Sequence, residues 1–238
     1  MKLALNIILI VILAVCAWTG FKRGVVRSLF GLVVVIISLI LGNVVASQYS
    51  KELVSAIEPF LGGYIDSDST TESVLDTLGF EDSDRSLNDI LEEDPSLRYD
   101  YAYETLRMVG FYKGFAEDLA TDCVSVSEKN DYSMTEAVTT VACNTASYVG
   151  CLTVAFVLIL AILTAIVDII GIEIRLPGAP FVDETAGAIV GLMKGVLYCV
   201  LLCWVLGFLG SVIGKSTADE TGLVRFFLAF RFITRSLI

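Results

Sequence analysis

With no histidine in 238 residues, any acid–base or metal chemistry would have to come from the 27 acids and six cysteines. Asp82, Asp84, Ser86, Asn88 and Glu93 fall at positions one, three, five, seven and twelve of an oxygen-ligand loop that could surround calcium. Leu87 stands where that loop needs a glycine for its sharp turn. Ser86 followed by Asp89 reads as a helix cap, so the stretch is assigned as a solvated acidic face. Cys199 and Cys203 lie one helical turn apart, but no histidine and no second cysteine pair completes a tetrahedral site, and both read as small core hydrophobes. Cys123 and Cys143 sit in or beside a polar stretch, and the sequence leaves open whether they are bridged. No nucleophile and base occur at workable spacing, so no catalytic residue, cofactor or metal is assigned.

Two other sets of residues have spacing that carries physical meaning. Lys22, Arg23 and Arg27 in GFKRGVVR, together with Asp168 and Lys194, flank apolar runs and are candidates for interfacial charge or lipid-phosphate contacts. Asp168 and Lys194 would pair if the ends that carry them share one side of a membrane. Gly20 and Gly24, and separately Gly187, Gly191 and Gly195, recur at intervals of four. That spacing puts them on one helical face, where a neighbouring backbone can approach closely. The glycines are therefore candidate helix-packing positions, either within one chain or between neighbours. Replacing Gly191 with leucine is expected to disrupt assembly far more than replacing Cys199 with alanine.

The elements that must position these residues are apolar helices. Leu3 to Thr19 and Ser28 to Ser47 are apolar runs joined by a short basic connection, and residues 1–47 read as a helical hairpin. Lys2 before the first run and the small residues from Val15 to Ala17 resemble a cleavable leader. Three bases and a second apolar run follow at once, which favours an uncleaved hairpin. A second hairpin is expected over 133–214. A capping box from Ser133 to Glu136 begins a helix that continues through a span from Ser147 to Val167. Pro177, Gly178 and Pro180 turn the chain, Asp183 and Glu184 suit a helix start, and Gly195 to Gly214 offers twenty uncharged residues for a fourth span. Residues 215–238 read as an interfacial basic amphipathic tail.

Residues 48–132 differ in kind. From Lys51 to Glu136 the chain holds 21 of its 27 acids and six bases, while the remaining parts are mildly basic. Such a segment repels phosphate and anionic lipid, which excludes nucleic acid as a partner. Ser69 with Glu72 fits a capping box, and Tyr99, Tyr103, Leu106, Phe111, Phe115 and Leu119 predict one helix over 99–119. The fold class is thus all-α: an integral membrane protein with about four transmembrane helices in two hairpins and an acidic, helical extramembrane insertion. Short basic loops stay on the cytoplasmic side, so the tip at Lys22 and Arg23 should face the cytoplasm and the acidic segment the outside.

GFKRGV at 20–25 and GLMKGV at 191–196 echo each other, as two basic turns of a repeat would. The hairpin ending in GFKRGVVRSLFG, together with ETAGAIVGLMKGVL before a late apolar run, resembles the colicin V production protein family. The likeness covers roughly 3–47 and 146–214. It implies a multi-pass protein of the bacterial cytoplasmic membrane, associated with toxin production or export and with envelope homeostasis. It brings no catalytic residues. Its expected partners are the lipid bilayer and either further copies of the chain or other membrane proteins. The acidic segment from Lys51 to Asp131 departs from the family by its length.

Overall fold

A computed structural model describes residues 2–80, 86–170, 180–208 and 226–227. The helices are α1 (Lys2–Ile65), α2 (Asp68–Thr77), α3 (Leu87–Glu93), α4 (Leu97–Val109), α5 (Lys113–Asn130), α6 (Met134–Ile170) and α7 (Pro180–Phe208). No strand occurs among the described residues. Three helical stretches are long and apolar enough to cross a membrane: Ala4–Ile65, Met134–Ile170 and Phe181–Phe208. The chain divides into two compact units, the first from residues 1–48, 151–205 and 220–238, the second from 49–150 and 206–219.

In the first unit α1 is not one rod. Gly24 has φ 78° and ψ 170°, a combination open essentially to glycine alone, and it separates residues 2–23 from 25–65. At about 1.5 Å per residue, Gly20 and Ser28 would lie about 12 Å apart in an unbroken helix. Instead the Ser28 hydroxyl donates to the Gly20 carbonyl at 3.2 Å, so the chain reverses at Gly24. Ile12 and Leu39, far apart along α1, accordingly line one cavity.

The returning leg packs on α6, where Gly42 faces the Phe156 backbone. The outward faces remain apolar and bare: Trp18 is 61% exposed, Ile40 58%, Val154 62% and Ile189 64%. In water each such side chain would forgo roughly 1.5–3 kcal/mol of burial, so these faces suit hydrocarbon.

The second unit has a conventional core. Ile65, Val74, Leu91, Tyr101, Leu106, Phe111, Leu119, Met134 and Val138 are buried together. The capping box before α6 forms as its sequence predicts: Ser133 N–H donates to Glu136 Oε2 at 3.0 Å, and Glu136 N–H donates to Ser133 Oγ at 3.3 Å. Ser86 caps α3 by accepting from Asp89 N–H at 3.3 Å.

Two expectations fail here. The capping box at Ser69 is displaced, since α2 starts at Asp68 with Ser67 at its cap, and the Ser69 hydroxyl donates to Ser67 Oγ instead. The single helix over 99–119 is two helices. Gly110 adopts a left-handed φ of 111°, and the Gly110 and Phe111 N–H groups both return to the Leu106 carbonyl, which ends α4. The stripe that suggested one helix still becomes core, because the aromatic residues after the break turn inward: Phe115 stacks on Phe208 at 4.4 Å, and Tyr112 N–H donates to the Gly207 carbonyl at 2.8 Å.

Cys123 and Cys143 are both buried and both free. The tail from 215 on lies outside the described residues except for Phe226 and Phe227, and so do Asp82 and Asp84 of the acidic loop. Among the described residues no group of His, Cys, Asp and Glu is arranged to hold a metal.

Candidate functional site: the hairpin tip and its glycine seam

The first unit gathers the sequence's two glycine sets against each other. A Cβ built on Gly20 would overlap the Gly187 carbonyl oxygen and lie 2.9 Å from the Gly191 Cα. One on Gly187 would strike the Gly20 carbonyl in return. One on Gly191 would overlap the Cys16 carbonyl oxygen. Gly195 is next along, 3.0 Å from the Cys16 Cβ and 3.3 Å from Leu13. The two sets thus face each other within one chain, backbone against backbone, and the seam leaves no room for a side chain. Cys199 continues the same register, its thiol directed at the Leu9 carbonyl at 3.7 Å.

At the tip the seam ends in polar contacts. A helix that starts at Val25 has N–H groups with no intrahelical acceptor, and GFKRGVVR contains no Ser, Thr, Asn or Asp to supply one. The acceptor comes from the start of α7: Asp183 Oδ1 takes the Val25 N–H at 2.9 Å. Its other oxygen fills the space where a Gly24 Cβ would be, and the residue is only 4% exposed. Glycine is therefore required at 24 both for its dihedrals and for the carboxylate beside it. Asp183, read in the sequence only as a helix-start acid, serves two helices at once. The signal that could have revealed this is the tip's lack of its own cap.

Asp168 does not pair with Lys194. Its Oδ1 accepts from Arg27 Nη2 at 2.9 Å, with the two side chains 46% and 25% exposed. A surface pair of this kind contributes about 0–1 kcal/mol, so it fixes register more than it stabilises. Arg27 wins because it lies one turn past the reversal, at the level where α6 ends. Lys22 and Arg23 are exposed, with Lys22 Nζ 5.2 Å above the Trp18 ring.

Lys194 is not in a turn at all. GLMKGV is interior to α7, so its likeness to the GFKRGV tip does not extend to structure. Lys194 sits against Gly31, seven residues or about 10 Å along the returning leg from Gly24, with its Nζ 5.5 Å from the Tyr198 ring. It falls inside the Phe181–Phe208 candidate span. The register with the first leg sets Gly187 beside Gly20 and Gly24 at the tip and Gly191 beside Cys16 and Gly20.

Comparison with known proteins reaches about the first third of the chain. No match is found among curated proteins, and none among solved structures. The family match continues past the hairpin into the acidic segment, which the sequence likeness had treated as a departure, and it does not include α6 or α7. From residue 5 to residue 80, which takes in the glycine-tipped hairpin and the entry into the polar unit, the chain matches the colicin V production protein family.

Proposed function

We propose that this chain is a non-enzymatic protein of the bacterial cytoplasmic membrane that crosses it four times. In this reading it supports production or export of a colicin V-like toxin, or envelope maintenance, by packing its helices and holding partners in the bilayer. The two legs of α1 supply two crossings, and α6 and α7 one each. The basic tip faces the cytoplasm and the acidic unit the outside, following the retention of short Lys/Arg-rich loops. The partners are further copies of the chain or other membrane proteins.

The observation that carries the scaffold reading is the glycine seam. Along Gly20, Gly187 and Gly191 the facing surfaces of α1 and α7 meet backbone against backbone, which leaves no space there for a solute path. Residues 5–80 match the colicin V production protein family, which supports the toxin or envelope context. A second reading is an oligomeric channel or transporter for a small solute, and it is favoured by Lys194, a cation inside a candidate span.

Purified protein in sealed vesicles decides between them. The scaffold reading expects ion and solute flux no greater than in empty vesicles. Reproducible flux that disappears in Lys194→Gln would overturn it in favour of the channel.

A further inference from the structure

Within the first unit lies an apolar cavity of about 310 Å³, with Ile12, Leu39, Phe156, Val157, Tyr198 and Trp204 in its wall. Apart from Thr153 its lining is aliphatic and aromatic, and a cavity of that character favours an apolar ligand over water. Val157 is 55% exposed, so the cavity opens outward through an apolar face that reads as lipid-facing. From Tyr198 to Val205, both in the wall, α7 rises about 10 Å.

One turn from Tyr198, toward the tip, stands Lys194. Its ammonium lies 5.5 Å from the centre of the Tyr198 ring, so the same residue forms the cavity wall and the platform under the cation. The nearest acid on α6, Asp168, spends its ion pair on Arg27. Arg23 adds a second positive charge near Lys194, and Asp168, paired with Arg27, is the acid whose field also reaches it. A half-buried cation at one end of an apolar slot, in a span that faces hydrocarbon, is complementary to a molecule with an anionic head and an apolar tail.

We propose that this cavity holds an acyl chain of an anionic membrane lipid, with the lipid's headgroup held by Lys194. The chain enters past Val157 and lies along Ile12 and Leu39 toward Trp204. The phosphate sits above Tyr198, where Lys194 and Arg23 supply the positive charge.

Trp204 reports on the slot directly, since the chain has only one other tryptophan, Trp18. The full chain carrying Trp18→Phe is placed in phosphatidylcholine nanodiscs. A low mole fraction of lipid with brominated acyl chains is then added, either phosphatidylglycerol or phosphatidylcholine. Trp204 fluorescence should be quenched at a roughly fivefold lower fraction of the anionic lipid, the preference one lysine confers toward anionic lipid.

Lys194→Gln should abolish that preference and Lys194→Arg should keep it. Lys22→Gln, which removes a charge from the tip but not from the cavity rim, should lower the preference less than Lys194→Gln does. Equal quenching by the two lipids in the Trp18→Phe parent overturns the proposal, and that comparison needs no further variant to fold. A preference that survives Lys194→Gln, or falls equally in Lys22→Gln, also overturns it, since the attraction would then be general surface charge.

Discussion

The glycine seam makes a quantitative demand that alanine can test. At Gly191 an added methyl would fall on the Cys16 carbonyl oxygen and lie 3.0 Å from the Gly20 Cα. Both obstacles are backbone, so relief requires α1 and α7 to move apart and not merely a side chain to rotate. Gly150, also within a helix, has nothing within 4 Å of the same methyl. Both substitutions gain the same helical propensity, roughly 0.5–1 kcal/mol for alanine over glycine. That gain cancels in the comparison and leaves the overpacking term, typically about 1–3 kcal/mol. Because the contacts are to main chain on both sides, the upper half of that range is expected. Reversible unfolding in mixed detergent micelles, followed by far-UV circular dichroism, should therefore place Gly191→Ala about 2–3 kcal/mol below Gly150→Ala. Cys199→Ala, which removes only a thiol at the end of the seam, should fall between them. If Gly191→Ala proved as stable as Gly150→Ala, the close approach of the two helices would be wrong.

Three further outcomes follow from the same physical reading. Asp183→Ala leaves the Val25 N–H without its acceptor and should cost about 1–3 kcal/mol in the same unfolding assay, whereas Glu184→Ala should change little; equal effects would remove Asp183 from the tip. Burial, with a smaller contribution from Asp122, pushes the Cys123 thiol up to about 12, so maleimide at pH 8 should leave it unmodified in the folded protein and label it after denaturation, as read by peptide mass spectrometry. The Ser96 hydroxyl, and then its backbone N–H, hold the exposed Asp94 carboxyl below the usual carboxylate range. A depressed folded value means this contribution is present above the unfolded pKa and is lost as pH falls through the folded one. An NMR titration should show the Asp94 midpoint rising in Ser96→Ala, and an unmoved midpoint would refute the assignment.

Much of the architecture is legible from residue order because long elements leave periodic traces. The apolar runs, the Ser133 capping box that begins α6 and the one-sided spacing of the glycines all lie within single segments, where 3.6 residues per turn converts order into geometry. What escaped depends on contacts between segments. Asp183 looks like any acid at a helix start until the uncapped Val25 is placed beside it. Arg27 and Lys194 both bear a positive charge near Asp168, and only the register between α1 and α6 decides which one pairs. The place of Lys194 beside Gly31 is likewise set by the neighbouring helix and not by counting residues along its own. Two misses were local: the cap of α2 falls at Ser67 and not Ser69, and α4 stops at Gly110, a helix stop that the continuing aromatic stripe outweighed.

The chain reverses at Gly24, and the topology we propose puts Lys22 on the cytoplasmic side and Phe60 outside. A membrane-impermeant maleimide applied to intact cells tests it most directly, using single cysteines introduced as Lys22→Cys at the tip and Phe60→Cys, whose parent side chain is 83% exposed in the second unit. The account predicts that the cysteine at 60 is labelled in intact cells while the one at 22 is labelled only after lysis. Labelling of both from outside, or the reverse order, would contradict it.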